Sequence, residues 1–243
     1  MHDPLHQFEI HTFCPMTLFG MDVSFTNASL FMVLTTAVLC VFFSLGKRQM
    51  VPGYVQYLQE TSLSFVANLI KTSVGRDGMP FAPLIFSLFL FIFGANYIGL
   101  LPYTFTVTSH IIVTFTLAMV VFLVTTLVGI YKHGFHFLRL FFPKDLPLLV
   151  APILIPIELI SYLSRPISLS IRLFANMVAG HTMIKIFAGF AVILASSGFF
   201  PAAVLPIVTN VAILLFECLI AFLQAYVFTM LTCIYLNDTL HLH

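Results

Sequence analysis

Two long apolar stretches in the C-terminal part of the chain are interrupted by groups that do not belong in hydrocarbon. Glu158, Arg165, Arg172, His181 and Lys185 stand in the first, and Asn210, Glu217 and Gln224 in the second. A charge at membrane depth costs about 2.5–3.5 kcal/mol or more, so such groups face a partner or a water-filled path. The bland reading is snorkelling to the surfaces or helix-to-helix hydrogen bonding, and it suits Arg165 and Lys185, whose positions lie toward the two surfaces. Arg172 and Glu217 lie too deep for either. Carboxylate and imidazole together pass protons near neutral pH, and a permanent guanidinium charge attracts an anion without giving up a proton. No GxxxxGK[ST], HExxH or GxSxG occurs, so the chain carries no nucleotide-hydrolysing, zinc-protease or serine-hydrolase signature and is not an enzyme by itself. Cys14, Cys40, Cys218 and Cys233 are far apart and form neither a CxxC nor a Cys/His cluster, which argues against a disulfide framework or a metal site.

Spacing places these groups on definite faces. At 100° per residue, Ser168, Arg172 and Asn176 fall within about 80° of arc, while His181 points to the other side of the same helix. Asn210, Glu217 and Gln224 recur every seven residues and form one stripe. If the intervening "SSGFFP" turn centres near residue 199, antiparallel helices bring together positions that sum to about 398. His181 then faces Glu217, and Arg172 faces the region from Gln224 to Tyr226. Arg172 gains no carboxylate from its own chain at that level, which implies an anionic partner on another subunit.

The elements that must hold these groups are membrane helices. Of the 243 residues, 60% are apolar, 28 are Phe and only 8% are charged, against about 25% charged in soluble domains. The ten Lys/Arg and nine Asp/Glu nearly cancel, so no basic surface for nucleic acid exists. About 20 apolar residues cross the bilayer as helix, which predicts spans near 25–45, 81–101 and 111–130. Before them lies an N-terminal interfacial segment, 1–24, with no basic n-region or apolar core of a secretory signal and no Arg-rich transit character. Segment 54–74 sets Val55, Leu58, Phe65, Val66 and Leu69 against Gln56, Glu60, Ser64, Asn68 and Lys71, the pattern of an amphipathic helix lying in the interface.

The final stretches, 147–196 and 202–236, exceed ordinary spans. The second would run about 52 Å as one helix against about 30 Å of hydrocarbon, so it must tilt steeply, bend or protrude. Pro147, Pro152, Pro156 and Pro166 predict a kinked first helix behind a Pro-rich re-entrant or interfacial lead-in. The expected fold is all-α: a single polytopic domain with about five membrane helices, one interfacial helix, and a long, strongly tilted antiparallel hairpin at the end.

Basic residues accumulate on the side from which the chain inserts. Lys47, Arg48, Lys71 and Arg76 lie after the first span, and Lys132, Arg139 and Lys144 after the third. The N-terminus, the 102–110 loop and the 196–201 turn have none. The N-terminus and both of those turns are therefore expected outside and the C-terminus inside.

The segments "ISLSIRLFANMVAGH" and "LFECLIAFLQAYVFTMLTCIYLND", with "NYIGLLPYTFTVTSHIIVTF" and "PIELISYLSRPISLS", resemble subunit a of the F-type ATP synthase over essentially the whole chain. "QFEI", "YTFTVTSHIIVTF" and the ending "QAYVFTMLTCIYLND" are similar to its mitochondrial and alphaproteobacterial branch, plant-like or protist mitochondrial forms especially. In that branch the position nine after the Arg is His, here His181, and the position seven before the Gln is Glu, here Glu217. Many other bacterial members exchange the two types.

The resemblance implies a stator beside a rotating ring of c-subunits, each with a membrane carboxylate, among the other stator and membrane subunits of the synthase. Two offset half-channels would carry protons through the lipid bilayer, with no cofactor and no metal. Arg172 matches the essential Arg. Asn176, His181, Glu217 and Gln224 match the outer half-channel, and Glu158 with Ser168 the inner one. A cation at Lys185 would raise the barrier to proton access nearby. The implied location is the mitochondrial inner membrane, or the bacterial plasma membrane for an alphaproteobacterial chain. Two other readings compete: a secondary transporter with polar groups in broken helices, which would show internal repeats and more spans, and an assembly subunit whose charges lock helix partners. Co-isolation with a c-ring and an ATPase head separates them from the first.

Overall fold

A computed structural model describes residues 9–15, 17–18, 21–22, 24–46, 49–101, 104–134, 151–198 and 200–240. Lys47, Arg48, Arg139, Lys144 and Pro147, on which parts of the charge and proline arguments rest, lie outside the described residues.

Short extended pieces precede the first helix. β1 (Thr12–Cys14) pairs antiparallel with β4 (Phe25–Thr26), and β2 (Thr17–Leu18) with β3 (Met21–Asp22). Asn27 ties these pieces to the start of the first helix: its backbone N–H donates to His11 O at 3.1 Å and its side-chain amide to Glu9 O at 3.0 Å. Helix α1 (Asn27–Ser44) then starts on a capping box, with Ser29 N–H donating to Thr26 Oγ1 and Thr26 N–H to Ser29 Oγ.

Next come α2 (Tyr54–Ser73), a 3-10 turn (Arg76–Phe81), α3 (Ala82–Gly99), a second 3-10 turn (Val107–Ser109) and α4 (Ile111–His133). The hairpin consists of α5 (Ala151–Ser196) and α6 (Phe200–Leu240). Among the described residues, five helical segments are long and apolar enough to cross a membrane: Asn27–Ser44, Arg76–Gly99, Ile111–His133, Leu154–Ser196 and Pro201–Leu240. The molecule is an all-α, multi-pass membrane protein.

Two element bounds depart from the apolar pattern for a visible reason. α4 continues past 130 because Lys132 Nζ meets Asp77 Oδ2 at 3.7 Å and the His133 ring meets Leu240 O at 3.3 Å. α6 continues past 236 because Asp238 pairs with Arg165 Nη1 at 3.1 Å. Tertiary contacts thus hold polar residues on helices that hydropathy alone would stop.

Of the prolines expected in and behind a Pro-rich lead-in, Pro152, Pro156 and Pro166 lie within α5, and the stretch before Ala151 falls outside the described residues. Pro152 falls in the first turn, where a missing N–H costs nothing. Pro156 and Pro166 each leave the carbonyl four residues earlier without its helical donor.

The core gathers Val66 and Ile70 of α2, Ile85, Phe89 and Ile92 of α3, Ala118 and Val121 of α4, Leu169 and Leu173 of α5, and Ala225 and Phe228 of α6. Only the second half of α2 enters it. Phe65 touches the rings of Phe89, Phe222 and Tyr226, whereas Val55 and Leu58 are exposed.

The hairpin outgrows this bundle. Thr106, beside the connection between α3 and α4, meets α5 at His181, and α5 runs a further 15 residues, about 22 Å, before its end at Ser196. Gly198, at φ 82°, lets the chain reverse there. Ile186, Phe190, Val192, Ile193, Leu205 and Val208 are exposed along this projecting part.

Candidate functional site

α5 presents two chemically different sides. Leu169, Leu173 and Met177 recur every four residues and are buried. Beside them Ile167, Ser168, Ile171 and Arg172 are exposed, and Asn176 is half-buried. Arg172 has no ion pair with any described carboxylate. Its backbone carbonyl accepts a hydrogen bond from the Gln224 side-chain amide at 3.4 Å, and Gln224 is only 7% exposed. The facing region deduced from residue sums is therefore the one that meets Arg172.

His181, half a helical turn away in angle, enters the interior. Its Nε2 lies 3.7 Å from Glu217 Oε1 and 3.0 Å from Thr106 Oγ1. Glu217 is 2% exposed, and neither of its oxygens has a hydrogen-bond partner among the described residues. A buried carboxylate with an imidazole at ion-pair distance can exchange a proton with that ring; without the ring it would be an uncompensated charge.

The room for Glu217 is made by Gly180. A Cβ at position 180 would come within 2.5 Å of Glu217 Oε1 and 2.7 Å of its Cδ, so only glycine lets this carboxylate lie against the α5 backbone. Asn96 of α3 secures the wall opposite. Its amide donates to Ala221 O at 3.3 Å, one turn beyond Glu217, and its Oδ1 accepts from Thr108 Oγ1 at 2.9 Å. Sequence reasoning does not single out Asn96, Thr106, Thr108 or Gly180. Asn96 is detectable as a lone amide in an apolar span. Gly180 is not, because its function is an absence of side chain opposite a residue 37 positions away.

The remaining groups are more dispersed. Asn210 is half-buried, with Oδ1 unpartnered among the described residues, beside a cavity of about 270 Å³ bounded by Ile184, Ala188 and Leu214. Glu158 is half-buried and Ser168 exposed, ten residues apart and hence about 15 Å along α5. The fold does not bring those two into contact. Arg165 pairs with Asp238 across the hairpin, the helix-to-helix bonding that its bland reading allows.

The family model described as ATP synthase A chain matches residues 29–237. The chain is 52% identical over 243 residues to the ATP synthase subunit a of Parvibaculum lavamentivorans, covering 98% of this chain and 94% of that one. It is 50% identical to that of Rhodospirillum rubrum, with both chains fully covered, and 53% identical to that of Bartonella tribocorum, over 98% of this chain and 96% of the relative. These relatives are alphaproteobacterial, so they support the bacterial plasma membrane and lend no support to a mitochondrial location. With the match spanning most of its length, the chain belongs to the ATP synthase A chain family.

Proposed function

We propose that this chain, a membrane proton-translocating component that works with the other ATP synthase subunits and carries no catalytic centre, is the stator against which a ring of c-subunits turns. The observation that carries the reading is the contrast on α5: Arg172 is exposed and has no ion pair with a carboxylate among the described residues, while His181 and Glu217 are enclosed on the opposite side. An exposed guanidinium within a membrane helix calls for an external anion, and the membrane carboxylate of a passing c-subunit supplies one.

In this reading Arg172 favours the ionised form of that carboxylate and repels protons that would otherwise run straight across. His181 and Glu217, with Asn176 and Gln224, line the outer half-channel. Glu158 and Ser168 belong to the inner one. The bias of basic residues orients the hairpin turn outward and the end of α6 inward. A proton arriving from outside passes between imidazole and carboxylate to the rotor, and leaves on the inner side only after rotation.

The test is Arg172→Ala in the assembled complex, reconstituted in sealed vesicles. Loss of proton-driven ATP synthesis, with passive proton leak retained or raised, is the expected result. Coupled synthesis at the unsubstituted rate would overturn the assignment.

A further inference from the structure

Thr106 occupies the N-cap position of the second 3-10 turn, with φ −86° and ψ 104°, where a threonine hydroxyl ordinarily accepts a backbone N–H of the turn that follows. Here it makes no such bond. Ser109 closes the turn instead, its N–H and its hydroxyl donating to Thr106 O at 3.2 and 2.6 Å. The Thr106 hydroxyl is turned away toward α5, where its Oγ1 lies 3.0 Å from His181 Nε2.

The side chain is held in that direction from behind. Thr106 is 5% exposed, and Gly99 at the end of α3 leaves the space it fills: a Cβ on residue 99 would come within 2.7 Å of Thr106 Cγ2 and 3.0 Å of Oγ1. The loop is anchored on either side, Phe105 by its stack on His110 and Thr108 by its bond to Asn96. Two acceptors lie within reach of the one hydroxyl proton, Gly99 O at 3.4 Å and an unprotonated His181 Nε2. Because a hydroxyl both donates and accepts, it bonds the imidazole in either state. A protonated Nε2 donates to Oγ1 while the hydroxyl donates to Gly99 O; a bare Nε2 receives the hydroxyl proton after a rotation about one bond. Glu217 Oε1, at 3.7 Å from the same nitrogen, is beyond hydrogen-bond length, so it does not fix the ring in this way.

We propose that Thr106 is a positioning residue for His181, its hydroxyl holding Nε2 beside Glu217 whether or not that nitrogen carries a proton. The proposal rests on the reading in which His181 and Glu217 exchange protons, and adds to it a residue from outside the hairpin. When the Nε2–H bond breaks and an O–H bond forms on Glu217, directly or through one water, the electron pair left on Nε2 accepts a hydrogen bond from Thr106. Reprotonation of the ring reverses the rotation. Thr106 keeps its own proton throughout, and nothing is consumed.

Valine and serine separate this role from packing. Valine keeps the shape of threonine without its hydroxyl, and serine keeps the hydroxyl without the methyl that packs on Gly99. In the assembled complex in sealed vesicles, Thr106→Val should lower proton-driven synthesis roughly tenfold, the factor that one hydrogen bond to a charged group is worth, and Thr106→Ser should retain most of the rate. Packing demands the opposite order, so a serine variant no faster than the valine variant overturns the proposal. If Thr106→Val does not assemble, Thr106→Ala takes its place: it differs from Thr106→Ser by the hydroxyl alone, and equal rates for those two are equally fatal. A double-mutant cycle gives the second readout. In a His181→Ala background Thr106→Val should cost no further proton uptake, and losses that multiply would place the action of the hydroxyl elsewhere. The underlying reading fails in a different way, by His181→Ala keeping the unsubstituted rate; an impaired His181→Ala beside a normal Thr106→Val removes only the role of Thr106.

Discussion

Arg172 and His181 stand nine residues apart on α5 and point in opposite directions, the guanidinium exposed and the imidazole 3.7 Å from the buried Glu217. Nine residues are two and a half helical turns, so the backbone of one helix separates the exposed guanidinium from the enclosed imidazole and carboxylate.

If Arg172 acts by a planar, permanently charged head, Arg172→Lys does not substitute for it. Lysine keeps the charge but is a shorter, more compact donor that can lose its proton in a low-dielectric setting. Proton-driven synthesis in vesicles should fall at least about tenfold despite normal assembly. A rate within twofold of the unsubstituted complex would count against the role.

Glu217 and His181 should behave as a pair. Either His181→Ala or Glu217→Ala should slow proton uptake more than it reduces assembly. The exchange His181→Glu with Glu217→His keeps one acid and one imidazole in contact, and should recover part of the activity that either half of the exchange alone loses. No recovery in an intact complex would show that they act separately.

Gly180→Ala should push Glu217 out of its place, because the added methyl would sit 2.5 Å from Oε1. Overpacking of this kind costs about 1–3 kcal/mol. Synthesis should fall, and adding Glu217→Asp, which withdraws the carboxylate by one methylene, should restore part of it. Unchanged synthesis in Gly180→Ala would show that the close approach carries no function.

The hairpin should cross the bilayer steeply tilted. α5 has 46 residues and α6 has 41, about 69 and 62 Å as helices, against about 30 Å of hydrocarbon. An upright hairpin would lift exposed Ile186, Phe190, Leu205 and Val208 out of lipid. Spin labels along α5, read for depth by collisional relaxation, should therefore advance well under 1.5 Å of depth per residue. A full 1.5 Å advance would establish an upright hairpin.

His110 caps the start of α4 and stacks on Phe105 with ring centroids 5.0 Å apart, its Nε2 buried and unpartnered among the described residues. Burial holds its pKa below the ordinary 6.5, so the unfolded chain takes up the proton first as pH falls. Its contribution to stability is present above about pH 6.5 and is lost as acidity increases through the folded-state value. His110→Phe should keep the stack and flatten that dependence. Thermal melting of the complex between pH 7.5 and 5.5, compared for the two proteins, checks it; an identical slope would mean that His110 does not titrate in this range.

The sequence by itself carried the membrane class, the helices and much of the pairing. Hydropathy marks the five spans because a lipid-embedded helix must be apolar over its whole length. The seven-residue stripe and the opposed angles of Arg172 and His181 come from helix geometry, and a single turn near residue 199 makes His181 meet Glu217 by arithmetic. Contacts between elements whose register no local rule fixes needed the tertiary structure. Asn96 against Ala221, Thr106 against His181 and Gly180 against Glu217 each depend on how helices far apart in the chain approach. The same holds for Arg165: in sequence it reads as snorkelling or bonded to another helix, and only the antiparallel return of α6 provides Tyr235 and Asp238 to hold it. Periodicity sets the direction in which a side chain leaves its own helix; the packed bundle decides what it meets there.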